Sequence, residues 1–167
     1  LPVLLKFAGS VDGEESSEAT RALGMLNDPR AVEPLLALLK DGADIEKISD
    51  ALAELKDKRA LPALLALRAE GYSAAAVLRA VARLAGPDEQ ACRYALAAVR
   101  SGDAMARSEG FTTAGKVCRG VVLQGDDKKS VNPADIIYAE ATGAGIAAGK
   151  DAILALGFSA TRGLSRN

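Results

Sequence analysis

Histidine and tryptophan are both absent from this chain, and only three Tyr and three Phe occur in its 167 residues. The lack of His removes the commonest general base, the commonest zinc ligand and the Ser-His-Asp and Cys-His nucleophile systems together. Aromatic residues make up only 4% of the chain, which argues against a β-sandwich or barrel, where Val, Ile, Thr and aromatics normally alternate along strands. No run approaches the roughly 18 apolar residues that a bilayer-spanning helix requires. Lys6 interrupts the apolar opening, which also lacks the basic leader of a signal peptide, so no membrane partner is expected. Nor is there an excess of either charge: 21 Lys and Arg stand against 22 Asp and Glu. Tight binding to nucleic acid needs uncompensated cations facing phosphate, so a nucleic-acid partner is not expected either. The two cysteines, Cys92 and Cys118, form no CxxC and have no companion ligands, and they read as buried free thiols of a cytoplasmic protein.

Alanine and leucine fill the space left by these absences, with 34 and 22 residues, a third of the chain. Both are strong helix formers, so an all-α protein is expected. The two residue types also recur in a pattern. The segment Ala22–Val32 aligns with Ala51–Leu61 at a shift of 29 residues, and seven of its positions match or differ by an apolar swap. The shift carries Leu35, Leu36, Ala37 and Leu38 onto Leu64, Leu65, Ala66 and Leu67. A third copy begins at Ala80–Leu84 and is read as keeping the same register, with Ala95 and Leu96 matching Ala66 and Leu67.

Each unit reads as two helices. Ala19, Ala22, Leu23 and Leu26 form a three-four stripe; Asp28 and Pro29 then cap and open a second helix bearing Val32, Leu35, Leu36 and Leu39. A pair of this size cannot bury both apolar faces alone, so neighbours must stack into an α-solenoid of helical hairpins. The array is expected over residues 1–101, with Leu1–Ala8 as a second helix and the chain starting in mid-repeat, as a processed product or a piece of a longer protein would. Ten of the 16 glycines lie beyond residue 101, and residues 102–167 are expected to form degenerate repeats or a helical cap. Helices are expected over Asp103–Leu123, from Asn132-Pro133 onward and over Asp151–Arg162, with a loop at Gln124–Ser130.

The wording of Ala22–Asp41, ALGMLNDPRAVEPLLALLKD, resembles the HEAT-like repeat of phycobilisome lyases. The resemblance extends moderately over Ala51–Ala69 and loosely over Ala80–Arg100. It implies a superhelix in which second helices line a concave face that receives a protein partner. On that analogy the partner-binding residues are Glu33, Arg59, Arg68, Glu70, Arg93, Tyr94 and Arg100. The expected function is a non-catalytic scaffold or regulatory module. The resemblance allows an alternative, a subunit of a phycobilin lyase or phycobilisome-degradation factor that handles a bilin or a bilin-carrying protein. A third reading, similar to HEAT-like DNA glycosylases, conflicts with the balanced charge.

Other motifs carry less. Thr142–Asp151 contains Gly149-Lys150 but has Ala144 and Asp151 where a phosphate loop needs glycine and a hydroxyl. Its GxGxxA pattern lacks the βαβ surroundings that a dinucleotide site requires. The acidic pairs Glu14-Glu15 and Asp88-Glu89 suit helix starts, and Asp126-Asp127 falls in a loop. No catalytic residue, metal ligand or cofactor site is therefore expected.

Overall fold

The computed structural model describes residues 1–10, 13–41, 44–67, 71–124 and 130–143. The chain divides into two compact units, Leu1–Leu84 and Ala85–Asn167. The first contains α1 (Pro2–Ala8), α2 (Gly13–Met25), α3 (Val32–Lys40), α4 (Ile45–Leu55), α5 (Leu61–Ala66) and α6 (Gly71–Leu84). The second contains α7 (Glu89–Val99), α8 (Ala104–Val117), the strands β1 (Leu123–Gln124) and β2 (Ser130–Val131), and α9 (Pro133–Gly143).

Within the first unit the helices stack in series. α2 packs on α4 and α4 on α6, while α3 touches α4 and α5 touches α6; α1 packs on α2. The sequence period explains the stack. Ala19, Ile48 and Val77 occupy one repeat position, Leu23, Leu52 and Val81 another, and all six are buried. Leu35 and Leu64, likewise 29 apart, are fully buried in the second helices. Each fully buried leucine contributes about 1.5–3 kcal/mol relative to exposure.

Local chemistry sets the breaks between helices. Asn27 and Lys56, again 29 apart, adopt left-handed backbone with φ of 52° and 53°. A residue in that conformation cannot continue a right-handed helix, so it ends α2 and α4. Asp28 and Asp57 then cap the short 3-10 turns Pro29–Ala31 and Lys58–Ala60, accepting from the backbone N–H of Arg30 and Arg59. Asp44 caps α4 in the same way.

Gly24 sits where α2 meets α4. A Cβ there would lie 2.9 Å from the Ala51 Cα. The glycine thus lets two helix backbones approach more closely than any side chain allows. Ser49, at the position of Thr20 and Leu78, is fully buried, and its hydroxyl has no hydrogen-bond partner among the described residues.

The third copy departs from the expected register. Ala37 and Ala66 are exposed, whereas Ala95, the next in a strict 29-residue series, is fully buried. The burial pattern of residues 31–40 instead recurs at 91–100, a shift of 60 rather than 58. Two residues are inserted in the turn holding Gly86 and Pro87, so Asp88 caps α7 31 residues after Asp57. Ala31, Val32 and Leu35 are thereby matched by Ala91, Cys92 and Ala95.

In the second unit α7 packs on both α8 and α9. A Cβ on Gly110 of α8 would fall 2.7 Å from the Val99 backbone N, so this contact too depends on a glycine. Asp103 caps α8, as its sequence position suggests. The helix stops at Val117, short of Leu123, where the apolar pattern would carry it; Gly120 has φ of 71° and turns the chain into β1. β1 pairs antiparallel with β2, Leu123 opposite Val131 and Gln124 opposite Ser130, at the two ends of the expected loop. Ile137 of α9 is fully buried.

The two cysteines are not free thiols. Cys92 of α7 and Cys118 at the end of α8 form a disulfide, with their Cα atoms 4.8 Å apart. The α7–α8 packing brings them together, aided by the Asp88 N–H donating to the Val117 carbonyl at 3.1 Å. The expected helix at Asp151–Arg162 lies outside the described residues.

Candidate interaction face

The outward positions of the first helices keep the same 29-residue register but change residue from copy to copy. Arg21, Asp50 and Arg79 hold one repeat position; Met25, Glu54 and Arg83 hold another. Arg83 Nη1 donates to Glu54 Oε1 at 2.6 Å, and Arg79 Nη2 lies 3.8 Å from Asp50 Oδ2, so two ion pairs join equivalent positions of α4 and α6. On α2, Arg21 Nη2 donates to Glu18 Oε2 at 2.7 Å. Lys47 of α4 lies 3.2 Å from Asp44 and also donates to the Ser17 hydroxyl.

Glu18, Arg21, Met25, Lys47, Glu54 and Arg83 border a groove of about 490 Å³ across the three helices. The Arg83 hydrogen bond holds the Glu54 carboxyl below the usual carboxylate range, and the Arg21 hydrogen bond does the same to Glu18. Both acids are therefore anionic at neutral pH. Met25 adds an apolar side chain that is 70% exposed. The groove has anions, cations, an apolar contact and the Ser17 hydroxyl beside Lys47.

The residues expected from sequence lie elsewhere. Glu33 is exposed on α3, and Arg59 Nη1 reaches its Oε1 at 3.5 Å. Arg59 also holds Asp57 through Nε and Nη2 and donates to the Pro29 carbonyl at 3.1 Å. It thereby links one 3-10 turn to the turn of the preceding repeat. Arg93 donates to Glu89 and to the Gln124 carbonyl, and Arg100 donates to Glu140 at 2.8 Å. Tyr94 is half-buried, and burial pushes its phenol pKa up. The structure brings Glu33 and Arg59 together in the first unit, while Arg93, Tyr94 and Arg100 belong to the second. Arg68 and Glu70 lie outside the described residues.

Glu14-Glu15 and Asp88-Glu89 stand at the starts of α2 and α7, and Asp88 accepts from the Ala91 N–H at 2.8 Å. Asp126-Asp127 and Ala144–Asp151 lie outside the described residues. Among the described residues no group of three or more His, Cys, Asp or Glu could hold a metal ion, and no helix is long and apolar enough to cross a membrane.

Serial helix hairpins with a 29-residue period define an all-α helical-repeat protein. Residues 17–41, which span most of α2 and all of α3, match the family model described as PBS lyase HEAT-like repeat. A search of curated proteins finds no match.

Proposed function

We propose that this chain is a non-catalytic helical-repeat scaffold or regulatory module that holds a protein partner in the groove across α2, α4 and α6. One observation carries this reading: charged residues at equivalent repeat positions border a single groove built by three packed helices. The helices are fixed by their own stacking, so docking orders little of the receptor chain, and mixed charges favour a partner segment that also bears both signs. The Cys92–Cys118 disulfide supports work in an oxidising compartment in place of the expected cytoplasm.

A charge exchange tests the groove. Glu54→Arg combined with Arg83→Glu keeps the internal ion pair while inverting the pattern shown to a partner. Affinity capture with mass spectrometry should identify a partner that the parent chain retains. The exchanged variant should bind it at least about tenfold more weakly, roughly 1.4 kcal/mol, with unchanged helicity. Full binding by this variant, with loss in an Arg59→Glu, Arg93→Glu variant, would move the site to the second helices.

A further inference from the structure

α2 and α4 approach closely at Gly24 and Ala51. Between their N-terminal halves they leave a pocket of about 200 Å³, lined by Ser16, Ser17, Thr20, Asp44, Lys47 and Ile48. The end of α1 borders it, where the Ser16 hydroxyl donates to the Ala8 carbonyl at 2.7 Å. Ser17 and Lys47 also border the larger groove, whereas Ser16, Thr20, Asp44 and Ile48 do not. Two observations point to an occupant. Thr20 is only 3% exposed, and its hydroxyl, on the pocket wall, has no hydrogen bond among the described residues. Buried hydroxyls are normally paired, so one left open onto a cavity suits a polar group that enters it. The polarity is also particular to this junction and no by-product of the repeat. Ser16 and Lys47 give way, 29 residues on, to Ile45 and Ala76 at the α4–α6 junction, where Ala76 and Val77 are fully buried.

The lining sets the chemistry of that occupant. Asp44 and Lys47 pair at 3.2 Å and balance in charge, so an ion has to break the pair while a neutral molecule leaves it intact. The open hydrogen-bonding capacity is mixed. Oxygens of Asp44 and Ser16 accept, Lys47 donates, and the Thr20 hydroxyl does both. An alcohol group meets both needs from a single atom. Ala8 and Ile48 offer a small apolar contact for the carbons that carry such groups. Pockets for drug-sized ligands hold about 300–1,000 Å³, so this one is confined to something smaller. We infer that the α2–α4 pocket is a binding site for a small neutral polyol or monosaccharide. The inference does not depend on a protein partner in the groove.

The test titrates glycerol, xylitol, myo-inositol and D-glucose separately into the full chain labelled with ¹⁵N, with glycine and inorganic phosphate as charged controls. At least one of the four should shift the amides of Ser16, Thr20, Lys47 and Ile48 saturably, with a Kd on the order of 1–10 mM. Thr20→Val keeps the side-chain shape and removes the hydroxyl. It should weaken that binding at least about threefold while the helical circular dichroism is unchanged. Should that variant unfold, Lys47→Met takes its place in the same measurement. Glu54→Arg combined with Arg83→Glu changes no residue of the pocket and should leave the Kd as it was. No saturable shift with any of the four, equal or tighter binding of glycine or phosphate, or full binding by Thr20→Val would overturn the inference. Loss of binding in the charge-exchanged chain would overturn it too, by placing the ligand in the groove.

Discussion

Asp28 shows how much one side chain does in a short connection. Its carboxylate receives the Arg30 side chain and the Arg30 backbone N–H, and these bonds lower its pKa from 3.8 to about 2. Asp57 repeats the arrangement with Arg59, and its pKa also falls, chiefly through the Arg59 side chain. A folded-state pKa below the unfolded value means that these caps stabilise the fold above the ordinary carboxylate range. That stability is lost as pH falls from about 4 towards 2. Thermal unfolding followed across this range should show a melting temperature dropping steadily below pH 4. Asp28→Asn, which keeps a capping oxygen but not the charge, should flatten the drop. A variant curve parallel to the parent's would show that the Asp28 charge plays no part.

At the scale of the element, the helix pairs α2–α4 and α7–α8 each depend on one glycine. A Cβ at Gly24 meets the Ala51 Cα at 2.9 Å, and one at Gly110 meets the Val99 N at 2.7 Å, so the helices must separate to admit a methyl group. Alanine favours helix over glycine by up to about 1 kcal/mol, but overpacking against backbone costs about 1–3 kcal/mol. Gly24→Ala and Gly110→Ala should therefore lower the urea midpoint. Gly13→Ala, whose Cβ meets nothing within 4 Å, should not. The helices and their caps were legible in the sequence because their causes are local: an apolar stripe, then an aspartate, as at Asp28, Asp88 and Asp103. The role of Gly24 was only half-legible. A glycine inside a helical stripe signals close approach, but the partner surface is 27 residues further on.

For the whole molecule, the disulfide is the feature that sequence reading placed wrongly. Cys92 and Cys118 are 26 residues apart, and only the antiparallel meeting of α7 with α8 makes them neighbours. The native protein should show no reactive thiol, and two after reduction. Closing a loop of this length constrains the unfolded chain, so reduction should lower stability by about 2–4 kcal/mol in denaturant titrations with and without a phosphine reductant. Identical curves would show that the bond adds nothing. The register slip near Gly86 was equally hidden, because alanine-rich sequence aligns with itself at several offsets and burial alone separates them. The face on α2, α4 and α6 did leave a trace, namely opposite charges recurring at 29-residue intervals. The family resemblance points instead to the second helices.

The order of signs along that row makes the hairpins unequal. Position by position it reads cation, anion, cation at Arg21, Asp50 and Arg79. A shortened variant that spliced out the middle hairpin would set arginine against arginine where α4 now mediates, and lose both carboxylates that neutralise α6. The hairpins are therefore not interchangeable beads. Asp50 and Glu54 of α4 are matched to Arg79 and Arg83 of α6, so each hairpin suits the one it now adjoins.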